Sequence, residues 1–271
     1  MYDLSNWPEV DRAAVFAAFR EVPLSEYPEL SGMSRADIHA GLQGQGGLFL
    51  ASDMAKRLNL RPGMRVLDLA CGAGATSLFL AQRYGVEVHA VDEAMPAGLA
   101  ERAAACGLRE LVKPVVADAR QLPFPPNCFD AVFCMNSLFY FGTGDLYPSH
   151  LAGLLKRAGE LVIGSPCYRE ELKGDEPEEF LLEFPACLAV HSPDWWRNHI
   201  AGDGHLEVVH AALHPHGALF WEDRVRFLLE EKPLREMPPW RQSMIRDMIR
   251  MLNRDRDGFV SHFVLHARKA G

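Results

Sequence analysis

The chain lacks an excess of basic residues: 28 Lys and Arg stand against 36 Asp and Glu, a formal net charge of -8. Nucleic-acid affinity rests largely on clustered Lys and Arg, so this balance argues against a phosphate-tracking groove and favours a small-molecule substrate over RNA or DNA. Long hydrophobic runs are also missing. The longest mostly apolar run, 131–141, contains Asn136 and Ser137. It falls short of the roughly 20 residues a membrane-spanning helix needs, so no membrane insertion is expected. Residues 1–8 are polar and soon enter a helix-like stretch, which does not read as a signal peptide. The six cysteines (Cys71, Cys106, Cys128, Cys134, Cys167 and Cys187) form no C-x-x-C pair. They read as reduced thiols of a cytoplasmic protein. His214-Pro215-His216 has no Cys or acidic partner nearby in sequence, so no metal site is expected.

What is present is a core-forming composition. With 271 residues and 48% hydrophobic content, the chain can bury a large core as one domain with an elaborated lid. The most informative stretch, 66–77, joins an apolar run to a glycine turn at Gly72 and Gly74 and then to a helix start at Thr76 and Ser77. Glycines at such a turn let a ligand approach the backbone, and the amides at a helix N-terminus suit a polar or charged ligand group. A dinucleotide fingerprint beginning at Gly72 requires a third glycine at position 77, where this chain has Ser77. That departure weighs against NAD or FAD.

The neighbouring segments give the turn its context. Residues 86–92 alternate like a strand and end in Asp92, 18 residues beyond Gly74, followed by Glu93. A carboxylate at the tip of a second strand lies within reach of both hydroxyls of a ribose. A third apolar run, 114–117, ends in Asp118 and Ala119, and a fourth, 130–135, ends in Asn136. Ligands of open parallel sheets bind outside the carboxyl ends of the strands, so the four tips converge on one crevice.

In this order the motifs resemble the class I S-adenosylmethionine-dependent methyltransferases. Motif I of that family, an acidic residue followed by small-x-Gly-x-Gly, is met by Asp68, Ala70, Gly72 and Gly74, with Cys71 inside the turn and Ala70 in place of the first glycine. The resemblance covers roughly residues 43–165. It implies S-adenosyl-L-methionine as cofactor, held at the turn and at Thr76, with the ribose on Asp92 beside Glu93, the adenine amino group on Asp118 and Ala119, and the methionine portion facing Asn136. In the small-molecule branch that includes phosphoethanolamine N-methyltransferases and cyclopropane fatty acid synthases, a Gly-Gly ahead of the first core helix lies against the cofactor. Gln45, Gly46 and Gly47 correspond to it. The implied fold is α/β, a Rossmann-like doubly wound seven-stranded sheet of order 3-2-1-4-5-7-6 with a helical cap.

Outside this region, residues 1–62 read as a helical segment contributing to the lid and cofactor site, with helices at 8–20 and 47–60. Residues 63–271 read as the core, with cap insertions at 165–191 and 217–256; the first is rich in acids, and the second carries helical patterns at 220–231 and 239–253. Ser192 reads as the cap of a helix whose first position is Pro193, and its adjacent Trp195 and Trp196 cannot both face one way. Strands six and seven read at 205–213 and 259–268. A sulfonium methyl is already activated, so the expected chemistry is alignment of an acceptor, exclusion of water and, where needed, removal of a proton. Tyr140 and His191 are the candidates for proton removal or acceptor orientation; the alternative for Tyr140 is a core aromatic with a satisfied hydroxyl, and for His191 a loop cap. Rival readings are a non-catalytic cofactor-binding protein, a nucleotide-dependent oxidoreductase, and a metalloid methyltransferase, the last needing several convergent cysteines.

Overall fold

The structure is a computed structural model that describes residues 10–42, 44–94, 98–174, 189–255 and 257–271. Its centre is a seven-stranded sheet of order β3-β2-β1-β4-β5-β7-β6. The strands are β1 (Arg65–Leu69), β2 (Glu87–Asp92), β3 (Val112–Val116), β4 (Phe129–Met135), β5 (Leu155–Tyr168), β6 (Leu206–Leu213) and β7 (Val260–Lys269). The first five run parallel, and β7 lies antiparallel between β5 and β6. This is the order implied by the motifs.

Both faces of the central strands are buried, as parallel strands under crossover helices require. Along β1, Val66 belongs to one apolar cluster with Phe49, Leu80 and Phe133, while Leu67 and Leu69 belong to the other with Val132, Trp196 and Leu265. The second cluster explains the adjacent tryptophans: Trp196 is fully buried, and Trp195 packs at its margin.

Helices cover the sheet: α3 (Gly47–Ala55) ahead of β1, then between strands α4 (Ala75–Tyr84), α5 (Leu99–Ala105), α6 (Tyr147–Leu154) and α7 (Pro193–Ala201). They are preceded by α1 (Arg12–Ala18) and α2 (Arg35–His39) and joined by α8 (Leu219–Glu231) and α9 (Pro239–Arg254). Two helix limits differ from the sequence reading. Asp11 caps α1, its side chain accepting the Ala13 and Ala14 amides, so the helix starts at Arg12 and not at residue 8. Helix α3 stops at Ala55 instead of reaching 60, and the Arg61, Pro62 and Gly63 turn follows without further helix. Ser192 does cap α7, accepting the Trp195 amide at 3.2 Å. Of the acidic excursion, residues 175–188 lie outside the described residues.

The N-terminal segment is bound to α8 by charge. Asp223 is fully buried, accepts the Val22 amide at 2.8 Å and pairs with the Arg35 guanidinium. Arg226 reaches the carbonyls of Phe16 and Phe19 at 2.6 and 3.0 Å, and Arg20 pairs with Glu222 at 3.0 Å. Because β6 runs parallel to β5, the loop after β6 emerges at the carboxyl edge of the sheet. Phe220 at the start of α8 therefore packs against His214 and His262, with ring centroids 4.6 and 5.5 Å apart.

His262 gives this junction a pH dependence. Burial holds its imidazole down at about 3, with Nδ1 donating to the Gly217 carbonyl at 3.1 Å. An unfolded chain binds the proton near the ordinary value of about 6.5, so the stability tied to the neutral ring is complete above that pH and lost as the pH falls. Equilibrium urea unfolding is expected to show an acid limb to which His262 contributes about 1.4 kcal/mol per pH unit between pH 6 and 4. His262→Gln is expected to flatten it by that amount, and an unchanged slope in the variant would refute the assignment.

Candidate functional site

The glycine turn lies where β1 ends at the carboxyl edge. Three of its residues have positive φ: Ala70 at 56°, Gly72 at 53° and Gly74 at 78°. Ala70 adopts the left-handed region with a Cβ, a strain on the order of 1 kcal/mol that the surrounding turn must offset. The two glycines differ in what they face. A Cβ on Gly74 would collide with the Leu99 side chain at 2.5 Å, so this glycine admits a neighbouring helix. A Cβ on Gly72 would meet nothing within 4 Å, which leaves that side of the turn open as a cradle.

Buried hydrogen bonds fix the turn in place. Asp68 is 1% exposed and accepts the hydroxyls of Thr76 at 2.6 Å and Ser77 at 2.5 Å, tying the end of β1 to the first turn of α4. Burial raises this carboxyl to about 6, the two hydroxyls oppose the rise, and the charge of Asp92 adds to it. Asp68 and Thr76, both expected at the cofactor, thus spend these polar atoms on each other and act on the turn itself. Cys71 donates its amide to the Val91 carbonyl at 2.9 Å, and burial pushes its thiol well above the ordinary range. A thiol held neutral in this way is no nucleophile.

Asp92 stands at the tip of β2 and accepts the Gly72 amide at 2.8 Å through Oδ2 and the Ala94 amide at 3.3 Å through Oδ1. The carboxylate therefore abuts the open cradle, with lone pairs left for a further donor. Glu93 beside it is exposed. After β3, Asp118 accepts the Arg120 amide at 2.8 Å, and the Ala119 carbonyl accepts the Tyr147 hydroxyl at 3.0 Å.

The tip of β4 meets the N-terminal segment. Asn136 has φ of 57°, a conformation its short amide side chain tolerates. Its Nδ2 donates to the Gln45 carbonyl at 2.8 Å. Among the described residues, its buried Oδ1 has no hydrogen-bond partner. Gly46 and Gly47 sit beside this contact, but their missing side chains make room for the protein itself. A Cβ on Gly46 would meet Leu50 at 2.8 Å, and one on Gly47 would meet the Ile38 carbonyl at 2.8 Å. Gly44, which the sequence reading passed over, is the glycine that Asn136 requires, since a Cβ there would lie 2.3 Å from Nδ2.

Tyr140 and His191 lie on separate segments. Tyr140 is 60% exposed in a 3₁₀ turn (Leu138–Tyr140), its ring 4.2 Å from that of Phe139. His191 precedes α7, with Nδ1 2.6 Å from Glu171 Oε1 and its ring stacked on Trp195 at 3.7 Å. The link between the segments runs through His199, whose Nε2 meets the Gly142 carbonyl at 2.8 Å. Glu171 belongs to the acid-rich insertion at 165–191, and the 20 residues that separate it from His191 carry no spacing signal. Among the described residues, no group of three or more His, Cys, Asp or Glu is arranged to hold a metal ion. No helix there is long and apolar enough to cross a membrane.

Comparison with known proteins bears on the domain and the fold. Residues 66–159 match the family described as methyltransferase domain. Phosphoethanolamine N-methyltransferase 1 of Zea mays is 26% identical over 140 residues, covering 52% of this chain and 27% of the relative. The chain thus spans about a quarter of the length of that curated relative. Phosphoethanolamine N-methyltransferase 2 of Haemonchus contortus, solved with S-adenosyl-L-methionine, superposes with a TM-score of 0.72 at 18% identity, over 92% of this chain and 60% of that one. The [4+2]-cyclase SpnF superposes with a TM-score of 0.69 at 21% identity, over 84% of each chain. Likeness at these identities establishes the seven-stranded fold.

Asp92 provides the test of the cradle. Asp92→Asn keeps the side chain's shape but loses the charge and one acceptor, and is expected to weaken S-adenosylmethionine binding at least about tenfold, since a charge-assisted hydrogen bond contributes on the order of 1.5–3 kcal/mol. Calorimetric titration measures this directly, and an unchanged dissociation constant would remove Asp92 from the site.

Proposed function

We propose that this chain, whose residues 66–159 match a methyltransferase domain, is an S-adenosylmethionine-dependent enzyme that transfers a methyl group to a small-molecule acceptor bound at the carboxyl edge of its sheet. The observation that carries the reading is the open cradle at Gly72 with the Asp92 carboxylate against it. When bound, the cofactor supplies an activated sulfonium methyl. The chain's own residues would do the rest. Asp92 would hold the ribose hydroxyls, with Glu93 beside it, and Asp118 with Ala119 would flank the adenine. The buried Oδ1 of Asn136 suits a donor such as the cofactor's ammonium group, and Gln45, fixed by Asn136 Nδ2, would close that end.

The N-terminal segment together with α8 and α9 would form the cap, excluding water from the reacting centre. Phe220 supports this, because it packs against both the His214 end of β6 and the glycine at 46 beside the Asn136 contact. Tyr140 and His191 would border the acceptor. With a net charge of -8, the acceptor is a metabolite in preference to a nucleic acid. The five described cysteines are free and four of them are buried, which suits a reducing cytoplasm.

Three experiments separate this reading from its rivals. Mass spectrometry of the small molecule released on denaturing the purified protein should find S-adenosylmethionine or its demethylated product; NAD would point to an oxidoreductase. Incubation of a metabolite extract with methyl-labelled cofactor should label small molecules, and binding without labelling would leave a non-catalytic binder. With an acceptor in hand, Tyr140→Phe is expected to lower turnover roughly 10²-fold while leaving cofactor affinity nearly intact, as positioning effects appear in the transition state. Full activity in this variant would take Tyr140 off the acceptor's path.

A further inference from the structure

We propose that Glu171 and His191 form a proton-accepting pair and that the acceptor presents a hydroxyl group, an inference that rests on the methyl-transfer reading and specifies its substrate class. Glu171 is held at both oxygens. Oε1 lies 2.6 Å from His191 Nδ1, and Oε2 accepts the Ser192 amide at 2.9 Å. Ser192 is itself the cap of α7, so the carboxylate is registered against the helix that carries Trp195 and His199. Burial alone would raise this carboxyl, yet the Ser192 amide and His191 hold it below its usual range.

The imidazole is fixed across its face as well as at its edge. It stacks on Trp195 at 3.7 Å with an interplanar angle of 10°, and Trp196 meets it edge-on at 6.3 Å. Trp195 stacks in turn on His199 at 4.7 Å, and His199 is bound to the Gly142 carbonyl. Two flat rings and a carboxylate therefore leave the His191 ring one orientation. An ionised carboxylate only accepts hydrogen bonds, so the neutral ring carries its proton on Nδ1 and donates it to Glu171. Its lone pair is on Nε2, at the opposite edge of the ring.

This tautomer is the one a base requires, and location gives it a task. Glu171 follows the end of β5 by three residues and binds His191, so the pair lies beyond the carboxyl end of β5, on the sheet edge that also carries Asn136 and the cradle. A neutral amine attacks a methyl with a lone pair it already has, whereas a hydroxyl is a poor nucleophile while it keeps its proton. In the transfer, the hydroxyl proton passes to His191 Nε2, the oxygen's electron pair forms the new bond to the methyl carbon, and the bond from that carbon to sulfur breaks with its pair retained by sulfur. Glu171 stabilises the resulting imidazolium, which later returns the proton to water. His191 is then the catalytic residue and Glu171 a positioning residue.

Two readouts test the pair. The first needs no acceptor: nitrogen NMR of histidine-labelled protein is expected to find neutral His191 as the Nδ1-H tautomer, reverting in Glu171→Ala to the Nε2-H form. An Nε2-H tautomer in the unmodified protein overturns the proposal. The second uses methyl-labelled cofactor with a panel of phenols, enols, alcohols and amines. Label is expected on oxygen, with His191→Asn lowering kcat about 10²-fold or more. Glu171→Ala should lower kcat about tenfold or more with KM and cofactor affinity within about twofold, and Glu171→Asp should recover much of the loss. Label on amine nitrogen with full activity in His191→Asn overturns the pair and leaves methyl transfer standing. Absence of label on every compound, with cofactor bound, overturns both readings.

Discussion

The carboxylate of Asp68 is the group on which the cradle depends. It is buried at the end of β1, and the two hydroxyls that satisfy it, from Thr76 and Ser77, belong to the first turn of α4. A buried carboxylate left without donors costs several kcal/mol, so the chain cannot release either hydroxyl cheaply. That requirement pins the strand end and the helix start together with a short loop between them. Ala70, Gly72 and Gly74 are then driven to positive φ because few other paths connect two anchors this close. The strain at Ala70 persists because the Asp68 bonds over-determine the loop. What faces outward from this arrangement is the Gly72 backbone, oriented by its own amide bond to Asp92.

The same logic extends to the cover over the strand tips. A fully buried Asp223 must be paired, and its partners, Arg35 and the Val22 amide, lie on the N-terminal segment. The segment and α8 are consequently one body, although some 200 residues of chain separate them. The bond from Asn136 Nδ2 to the Gln45 carbonyl then sets this body on the tip of β4. Glycines at 44, 46 and 47 are the sites where the fit is too close for a Cβ, which explains a glycine-rich loop without assigning every glycine to a ligand.

Much of this was legible in the sequence. Strand ends at Asp92, at Asp118 and at Asn136 followed from apolar runs closed by a polar residue, and the sheet order followed from the resemblance those motifs carry. The bonds from Thr76 and Ser77 to Asp68 were not legible, because a residue list does not tell which donors an acid meets first. Here two hydroxyls eight and nine residues along the chain converge on its Oδ2. The loop at 44–47 was legible as glycine-rich, but whether ligand or protein fills the space beside each glycine depends on Leu50, Ile38 and Asn136, which only the fold brings there.

The acceptor end differs from the cofactor end for a physical reason. The residues proposed for the cofactor sit on turns that follow strands directly, so spacing along the chain translates into position along the sheet edge. Those proposed for the acceptor sit on segments that leave the sheet and return, and the pairing of Glu171 with His191 needs both the end of β5 and the start of α7. Composition along such an excursion reports only that it is acidic. Of the two acids described there, Glu170 and Glu171, the one at 171 is distinguished by its two partners, the Ser192 amide and the His191 ring, and by the indole that holds that ring flat. A solvated surface acid has no need of such partners, so their presence marks Glu171 as fixed in orientation. A fixed carboxylate against an imidazole edge dictates where the imidazole keeps its proton, and thereby which edge of the ring can take one.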